Sequence, residues 1–241
     1  MTTQTFAPLK PNVVLGVAAH PDDLEFSAAG TIAKFIAEGA QAYYLILTNA
    51  NKGTEDRSMS PAQLTEIRRD EQREAGKILG LTDVFFGDYD DGCLECTLDV
   101  KREVARAIRM VKPDVVITMD PSVLYAAERG FINHPDHRAA GQATLDAVYP
   151  LARDHLSFPE LLEAGLEPHK TATVLLSSMT DHNFTVDISD HMETKLKALA
   201  AHRSQLAAPD MAADLVRGWA ERVGAAAGAR YGEGFVRIDI T

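Results

Sequence analysis

Two short polar clusters concentrate the reactive side chains of this chain. His20-Pro21-Asp22-Asp23 stands directly after an apolar run, and His134-Pro135-Asp136-His137 follows a long polar stretch. Two histidines and one carboxylate are a common three-ligand set for catalytic zinc, with a fourth position left for water. Asp22 and Asp23 are adjacent, so they cannot both approach one ion from the same direction. One can ligate while the other faces the bound water, the geometry a general base requires. His134 and His137 are three apart, so a helical turn beginning at Pro135 puts both on one side. If one holds metal, the other can face a substrate, with Asp136 near enough to orient an imidazole. Read singly, each cluster is as well explained by a turn and a helix cap, where Asp, His and Pro collect. Their pairing at two strand ends favours the metal.

The elements that must position these clusters follow from hydrophobic periodicity. PNVVLGVAAH reads as a strand buried on both faces. EFSAAGTIAKFIAEG reads as one helix, with Ala28, Ile32, Phe35 and Ile36 on a face and Gly39 at its end. AYYLILTNA is a second strand. Leu64, Ile67, Ala75, Ile78 and Leu79 stripe a helix that stops at Gly80, and VFFG is a short strand. Val100, Val104, Ile108 and Val111 give a helix starting near Thr97, and DVVITMD is another buried strand. RAAGQATLDAVY is helical, TATVLLSSM and FTVDIS are strands, and Asp190 with Glu193 has the spacing of a capping box for a helix through Met192, Leu196 and Leu199.

Strands alternating with helices predict a single doubly wound, Rossmann-like α/β domain over residues 1–241, with a mostly parallel sheet covered on both faces. The long connections from Asn49 to Pro61 and from Pro121 to Asn133 follow strand carboxyl ends, where open α/β sheets place their ligands.

Composition narrows the function. The 241 residues are 46% hydrophobic and 24% charged, an ordinary globular balance. The net charge of −11 repels phosphate backbones and anionic lipid, so neither nucleic acid nor a membrane surface is expected as partner. No apolar run reaches the roughly 20 residues of a membrane span. MTTQTFAPLKPN lacks the pattern of a secretory signal, so a cytoplasmic location is expected. Cys93 and Cys96 form C-x-x-C, a zinc or redox spacing, but no second pair exists, and two small buried hydrophobes near the Asp91-Gly92 turn are the simpler expectation. A two-histidine, one-carboxylate set also suits non-haem iron oxygenases, whose sites we associate with β-barrels, or a metal-dependent binding module, which would leave Asp22 without a purpose. A dinucleotide fingerprint is missing after the first strand, where HPDD stands instead.

AAHPDDLEFSAAGTIAKF and HPDHRAAGQA resemble the two signature motifs of the PIG-L/LmbE family of zinc-dependent deacetylases. TNANKGTED, EIRRDEQREAGKILG, PDVVITMDP, VDISDHMETKLKALAAHRSQ and YGEGFVRI extend the resemblance over most of the chain. The resemblance implies removal of an N-acetyl group from a glucosamine-containing small molecule, or cleavage of another amide such as a thiol-sugar conjugate. It implies one Zn2+ per chain, other divalent metals being compatible, held by His20, Asp23 and His137. Asp22 becomes the general base, His134 the group facing the carbonyl oxygen or leaving amine, Asp136 its support, and Arg68 a substrate contact. A structural pair between Arg68 and Glu71, three residues apart, is the competing reading of that arginine. The spacing in His-Pro-Asp-Asp-Leu-Glu is closer to the broad LmbE and bacillithiol-type branch than to the mycothiol type. Ile132 stands where some members carry tyrosine; Tyr125 is a candidate replacement. His182, after a strand, is a candidate to approach the site. His155, His169 and His191 fall in loop or cap positions, and His202 has no assigned role. A homo-oligomer is compatible with all of this.

Overall fold

A computed structural model of the chain describes residues 7–178 and 180–240. The first part runs β1 (Val13–Ala18), α1 (Asp23–Ser27), α2 (Ala29–Ala37), β2 (Gln41–Thr48), α3 (Pro61–Leu79) and β3 (Asp83–Tyr89). It continues through α4 (Leu98–Val111) and β4 (Val115–Met119) to a small hairpin, β5 (Tyr125–Ala126) with β6 (Phe131–Ile132). Then come α5 (Pro135–Asp146), α6 (Pro159–Glu163), β7 (Thr173–Ser177), β8 (Phe184–Asp187), α7 (Met192–Leu199), α8 (Pro209–Ala226) and β9 (Gly232–Asp239).

Seven strands form one sheet in the order β3-β2-β1-β4-β7-β9-β8. The first five are parallel, and β9 runs antiparallel between β7 and β8. The expected doubly wound α/β fold is therefore present, with a mixed edge. Strand order reverses between β1 and β4, so their carboxyl ends open the crevice in which such sheets bind ligands. Both chemical clusters stand at this point, His20 just beyond β1 and His134 beyond the hairpin that follows β4.

Residues 14–18 of β1 are buried because alternate side chains enter two cores. Val14 joins Ile32, Tyr44, Ile46 and Leu199 on one face. Leu15 and Val17 join Leu45, Leu47, Val104 and Ile108 on the other. Burial on both faces explains why the strand is continuously apolar. Among the described residues, no helix is long and apolar enough to cross a membrane.

Local chemistry sets the helix ends. Ser60 Oγ accepts the Gln63 N–H (3.3 Å) and Gln63 Oε1 accepts the Ser60 N–H (2.9 Å), a capping box ahead of Pro61. Gly80 closes the same helix at φ 84°, which glycine adopts without penalty. Gly141 lets α5 lie against β4, since a Cβ there would collide with the Met119 carbonyl oxygen.

Three expectations need correction here. The helix expected through Ala28 is two helices, broken at Ala28 (φ −143°, ψ −3°). Ala28 has no side chain able to cap, and Glu233 of β9 does so from across the fold, accepting the Gly30 and Thr31 N–H groups at 3.0 and 2.7 Å. The Asp190–Glu193 capping box does not form. A 3-10 turn, Ser189–His191, precedes α7, and Asp187 Oδ1 holds it by accepting from the Ser189 N–H and hydroxyl at 2.9 and 2.6 Å. The cysteines are not both buried either, because Cys93 is exposed and Cys96 half-buried, both as free thiols. Cys93 lies in the turn gripped by Lys52, whose ammonium bonds to Asp90 Oδ2 at 2.8 Å.

Candidate metal and hydrolase site

Asp22 and Asp23 diverge because of the backbone between them. Asp22 has φ 82°, the left-handed region that Asp tolerates better than most residues, and Asp23 opens α1. Asp22 Oδ2 turns to Arg68 Nη2 (3.6 Å). Asp23 turns the opposite way: Oδ1 lies 3.0 Å from His137 Nε2, and Oδ2 lies 3.6 Å from His20 Nδ1 while accepting the His20 N–H at 2.8 Å. The second cluster sits at the start of α5, where Pro135 takes the first position and His134 is the N-cap. His134 Nδ1 accepts the Asp136 N–H at 3.2 Å. The cap reading and the functional reading of this histidine are thus compatible.

The three imidazoles meet. Ring centroids lie 4.9 Å apart for His20–His134, 5.4 Å for His20–His137 and 5.2 Å for His134–His137. Each ring offers a nitrogen within 4.8 Å of the others, and His20 and His134 also share such a cluster with Asp91 and Asp136. A set of imidazole nitrogens and carboxylate oxygens this close suits a divalent transition metal.

Asp136 differs from the expectation that it supports His134. Its buried carboxylate faces His20 Nε2 (3.2 Å) and accepts the N–H groups of Gly92 (2.7 Å) and Leu94 (3.2 Å). Only its backbone touches His134. Asp91 joins it on the same His20 nitrogen at 3.2 Å. Two carboxylates therefore fix the His20 ring through one nitrogen, an arrangement compatible with metal ligation through the other.

Arg68 is two turns into α3, and its buried guanidinium donates to the Pro21 carbonyl (3.1 Å) and the Lys52 carbonyl (3.3 Å). Asp22 and Asp91 flank it at 3.6 and 3.8 Å. The alternative Arg68–Glu71 pair is not formed, since Glu71 accepts from the Ser204 N–H and hydroxyl at 2.8 and 2.6 Å. The buried face of α3 runs through Arg68 and Gln72, while Ile67 of the expected stripe is 38% exposed.

A buried polar chain lies under Asp22. Gln72 Oε1 accepts the Asp22 N–H (3.2 Å), Gln72 Nε2 donates to Glu25 Oε1 (3.0 Å), and His202 Nε2 lies 3.4 Å from Glu25 Oε2. Sequence reasoning missed Gln72, Glu25 and Asp91 as contributors and gave His202 no role. The available signal was polar type at buried helical positions; Gln72 lies 47 residues from Glu25, and Asp91 and His202 lie farther still from His20 and Glu25. Tyr125 is 62% exposed on the hairpin, opposite Ile132. His182 lines a neighbouring cavity instead of joining the imidazoles.

Electrostatics separate the two aspartates. Burial, then the adjacent Asp23, pushes the Asp22 carboxyl up to about 7, against the pull of Arg68. Burial would also raise Asp23, but His137 and His20 hold it well below the usual carboxylate range. Burial opposes charge on His20, yet Asp136, Asp23 and Asp91 raise it to about 11. His137 is raised against burial by Asp23. Burial and the nearby His20 lower His134, so it is the neutral imidazole of the group.

This geometry has known counterparts. The profile of the PIG-L family, described as GlcNAc-PI de-N-acetylase, matches residues 15–148, a span that contains both clusters. Diacetylchitobiose deacetylase of Thermococcus kodakarensis is 35% identical over 225 residues, covering 92% of this chain and 81% of that protein. A probable N-acetyl-alpha-D-glucosaminyl L-malate deacetylase of Bacillus anthracis is 27% identical, covering 80% and 81%. The solved N,N'-diacetylchitobiose deacetylase of Pyrococcus horikoshii superposes with a TM-score of 0.87 at 32% identity, covering 95% of this chain and 84% of that one. The profile spans more than half the chain and the Thermococcus relative nearly all of it, and on that ground the chain belongs to the PIG-L family of de-N-acetylases.

Proposed function

We propose that this protein is a metal-dependent hydrolase that removes the N-acetyl group from a glucosamine-containing small molecule. The observation that carries the reading is the divergence of Asp22 and Asp23, which leaves one carboxylate among the imidazoles and the other free to handle a proton. His20, Asp23 and His137 are the assigned ligands. Asp91 and Asp136 occupy His20 Nε2, which leaves Nδ1, on the Asp23 side, for the ion. A bound zinc, or another divalent cation, would polarise the acetyl carbonyl and lower the pKa of water to near neutrality.

The remaining chemistry belongs to the side chains. Asp22, with a carboxyl pushed up to about 7, is poised to take a proton from the attacking water and to return it. His134 is neutral, and its Nδ1 is already an acceptor, so its proton resides on Nε2. That N–H is available to the oxygen on which negative charge develops. Arg68 fixes the Asp22 turn through the Pro21 carbonyl, and its charge restrains the rise in the Asp22 pKa. Its remaining N–H groups are the candidate contacts to substrate hydroxyls.

The test is acetate release from a panel of N-acetylglucosamine derivatives, run alongside metal analysis of the purified protein. We expect one divalent ion per chain and release that stops on chelation. Release that persists without any bound metal would overturn the proposal.

A further inference from the structure

Asp22 is the N-cap of α1, and Glu25 stands three residues on, at the spacing of a capping box. In such a box the cap side chain accepts a helix N–H, and the glutamate reaches back to the N–H of the cap residue. Neither bond forms here. Asp22 makes no side-chain cap bond, since its left-handed backbone (φ 82°) leaves the carboxylate facing Arg68. Its N–H goes instead to Gln72 Oε1 (3.2 Å), and Glu25 Oε1 accepts from Gln72 Nε2 (3.0 Å). Gln72 is thus inserted between the two halves of a cap, and the carboxylate that a cap would occupy stays free.

The grip on this turn is two-sided. The Pro21 carbonyl and the Asp22 N–H belong to one peptide group. Arg68 donates to that carbonyl (3.1 Å) and Gln72 accepts from that N–H, both from the buried face of α3 and four residues apart. With α1 anchored on the far side, a fixed peptide plane sets φ of Asp22 and hence the direction of its carboxylate. A left-handed aspartate persists only where its surroundings hold it. The Gln72 amide can serve in one orientation alone, oxygen toward Asp22 and nitrogen toward Glu25, because a carboxylate only accepts. Gln72, Glu25 and His202 are fully buried, and His202 Nε2 lies 3.4 Å from the second Glu25 oxygen.

We propose that Gln72 is a positioning residue for the proton-handling step: it aims Asp22 by holding the Asp22 N–H, while Glu25 and His202 fix its amide. The inference rests on the reading of Asp22 as the general base.

The test places Gln72→Met, which keeps length and volume without the amide, in the wild-type and Asp22→Asn backgrounds. Acetate release and metal content are measured on each. With Asp22 present, kcat should fall about 10- to 100-fold, the range expected when a catalytic group is displaced by roughly 1 Å, with KM and bound metal changed less than about twofold. In the Asp22→Asn background the same substitution should change kcat less than about twofold, because no base remains to be aimed. A merely structural glutamine would lower both backgrounds alike; that result, or an unchanged kcat, overturns the inference. The exchanged pair, Gln72→Glu with Glu25→Gln, again provides an acceptor for the Asp22 N–H and a donor to hold it, and should keep most of the activity. A folded, metal-loaded exchange variant that has lost more than about tenfold in kcat overturns the inference, and this variant decides alone if Gln72→Met does not fold. A crystal structure of Gln72→Met needs no turnover: Asp22 should leave its left-handed conformation or its carboxylate should shift by roughly 1 Å, and an unmoved Asp22 overturns the inference. Failure of the deacetylase reading would appear separately, as wild-type protein that releases no acetate.

Discussion

Asp22 and Asp23 share a side chain and a peptide bond, and only conformation gives them different work. The left-handed backbone at Asp22 aims its carboxylate at Arg68, while Asp23 lies between His20 and His137. Asp22→Asn keeps size and polarity but removes the proton acceptor. It should fold normally, retain metal and lose about 10²- to 10⁴-fold in kcat, the usual contribution of a positioned general base. Asp23→Asn should lose metal instead, with partial recovery of activity when zinc is added. Metal content and kcat measured on both variants check this, and the reverse pattern would exchange the two roles. The pairing of these motifs was legible in the sequence because the residue types and the His-x-x-His spacing are local. The roles of Gln72, Glu25 and Asp91 were not. Each depends on side chains brought together from distant segments, so no spacing announces them.

At the scale of elements, periodicity located six strands of the main sheet and the helices through α5 together with α7, but not β9, the long helix α8 or the break at Ala28. An apolar face continues across that position, so the pattern gives no reason to stop. The reason lies in β9: Glu233 enters the gap, caps α2 and pairs with Lys195, whose ammonium also donates to the Phe26 carbonyl at 2.8 Å. One carboxylate thus ties three helices to the sheet edge behind the site. Removing it strands a buried ammonium and two N–H groups. Glu233→Ala should therefore cost about 3–5 kcal/mol, the usual effect of breaking a buried ion pair from one side. Urea unfolding measures this directly. A loss under 1 kcal/mol would mean that water replaces the carboxylate at little cost. The failed capping box has a similar origin, since Asp187, outside the Asp190–Glu193 spacing, already organises the turn into α7.

For the whole molecule, metal and fold are linked through protons. Without metal, His20 has its pKa raised from 6.5 to about 11. A raised histidine contributes stability that is fully present below pH 6.5 and is lost as pH climbs through about 11. Asp22 is raised too, from 3.8 to about 7, so stability falls as pH rises across that interval, because the folded state holds its proton more tightly. Both effects make the metal-free protein less stable toward alkaline pH. With His20 as a ligand, as proposed, metal acts in the opposite sense, since the ion would displace the His20 proton and its affinity would rise with pH. Binding to the native state adds RT ln(1 + [L]/Kd) to stability, so a falling Kd widens the gap between loaded and stripped protein. The difference in Tm between zinc-saturated and chelator-treated protein should therefore grow from pH 6 to pH 9. It should do so mainly through a falling Tm of the stripped form, because in the loaded form the rising affinity offsets the same decline. Thermal melts at a fixed zinc excess over that range measure it. A difference that stays constant with pH would mean that no ligand proton is displaced, and His20 would have to leave the ligand set. His137→Ala, which removes a proposed ligand without disturbing the Asp91 and Asp136 contacts of His20, should abolish the difference while keeping the alkaline decline of the stripped form.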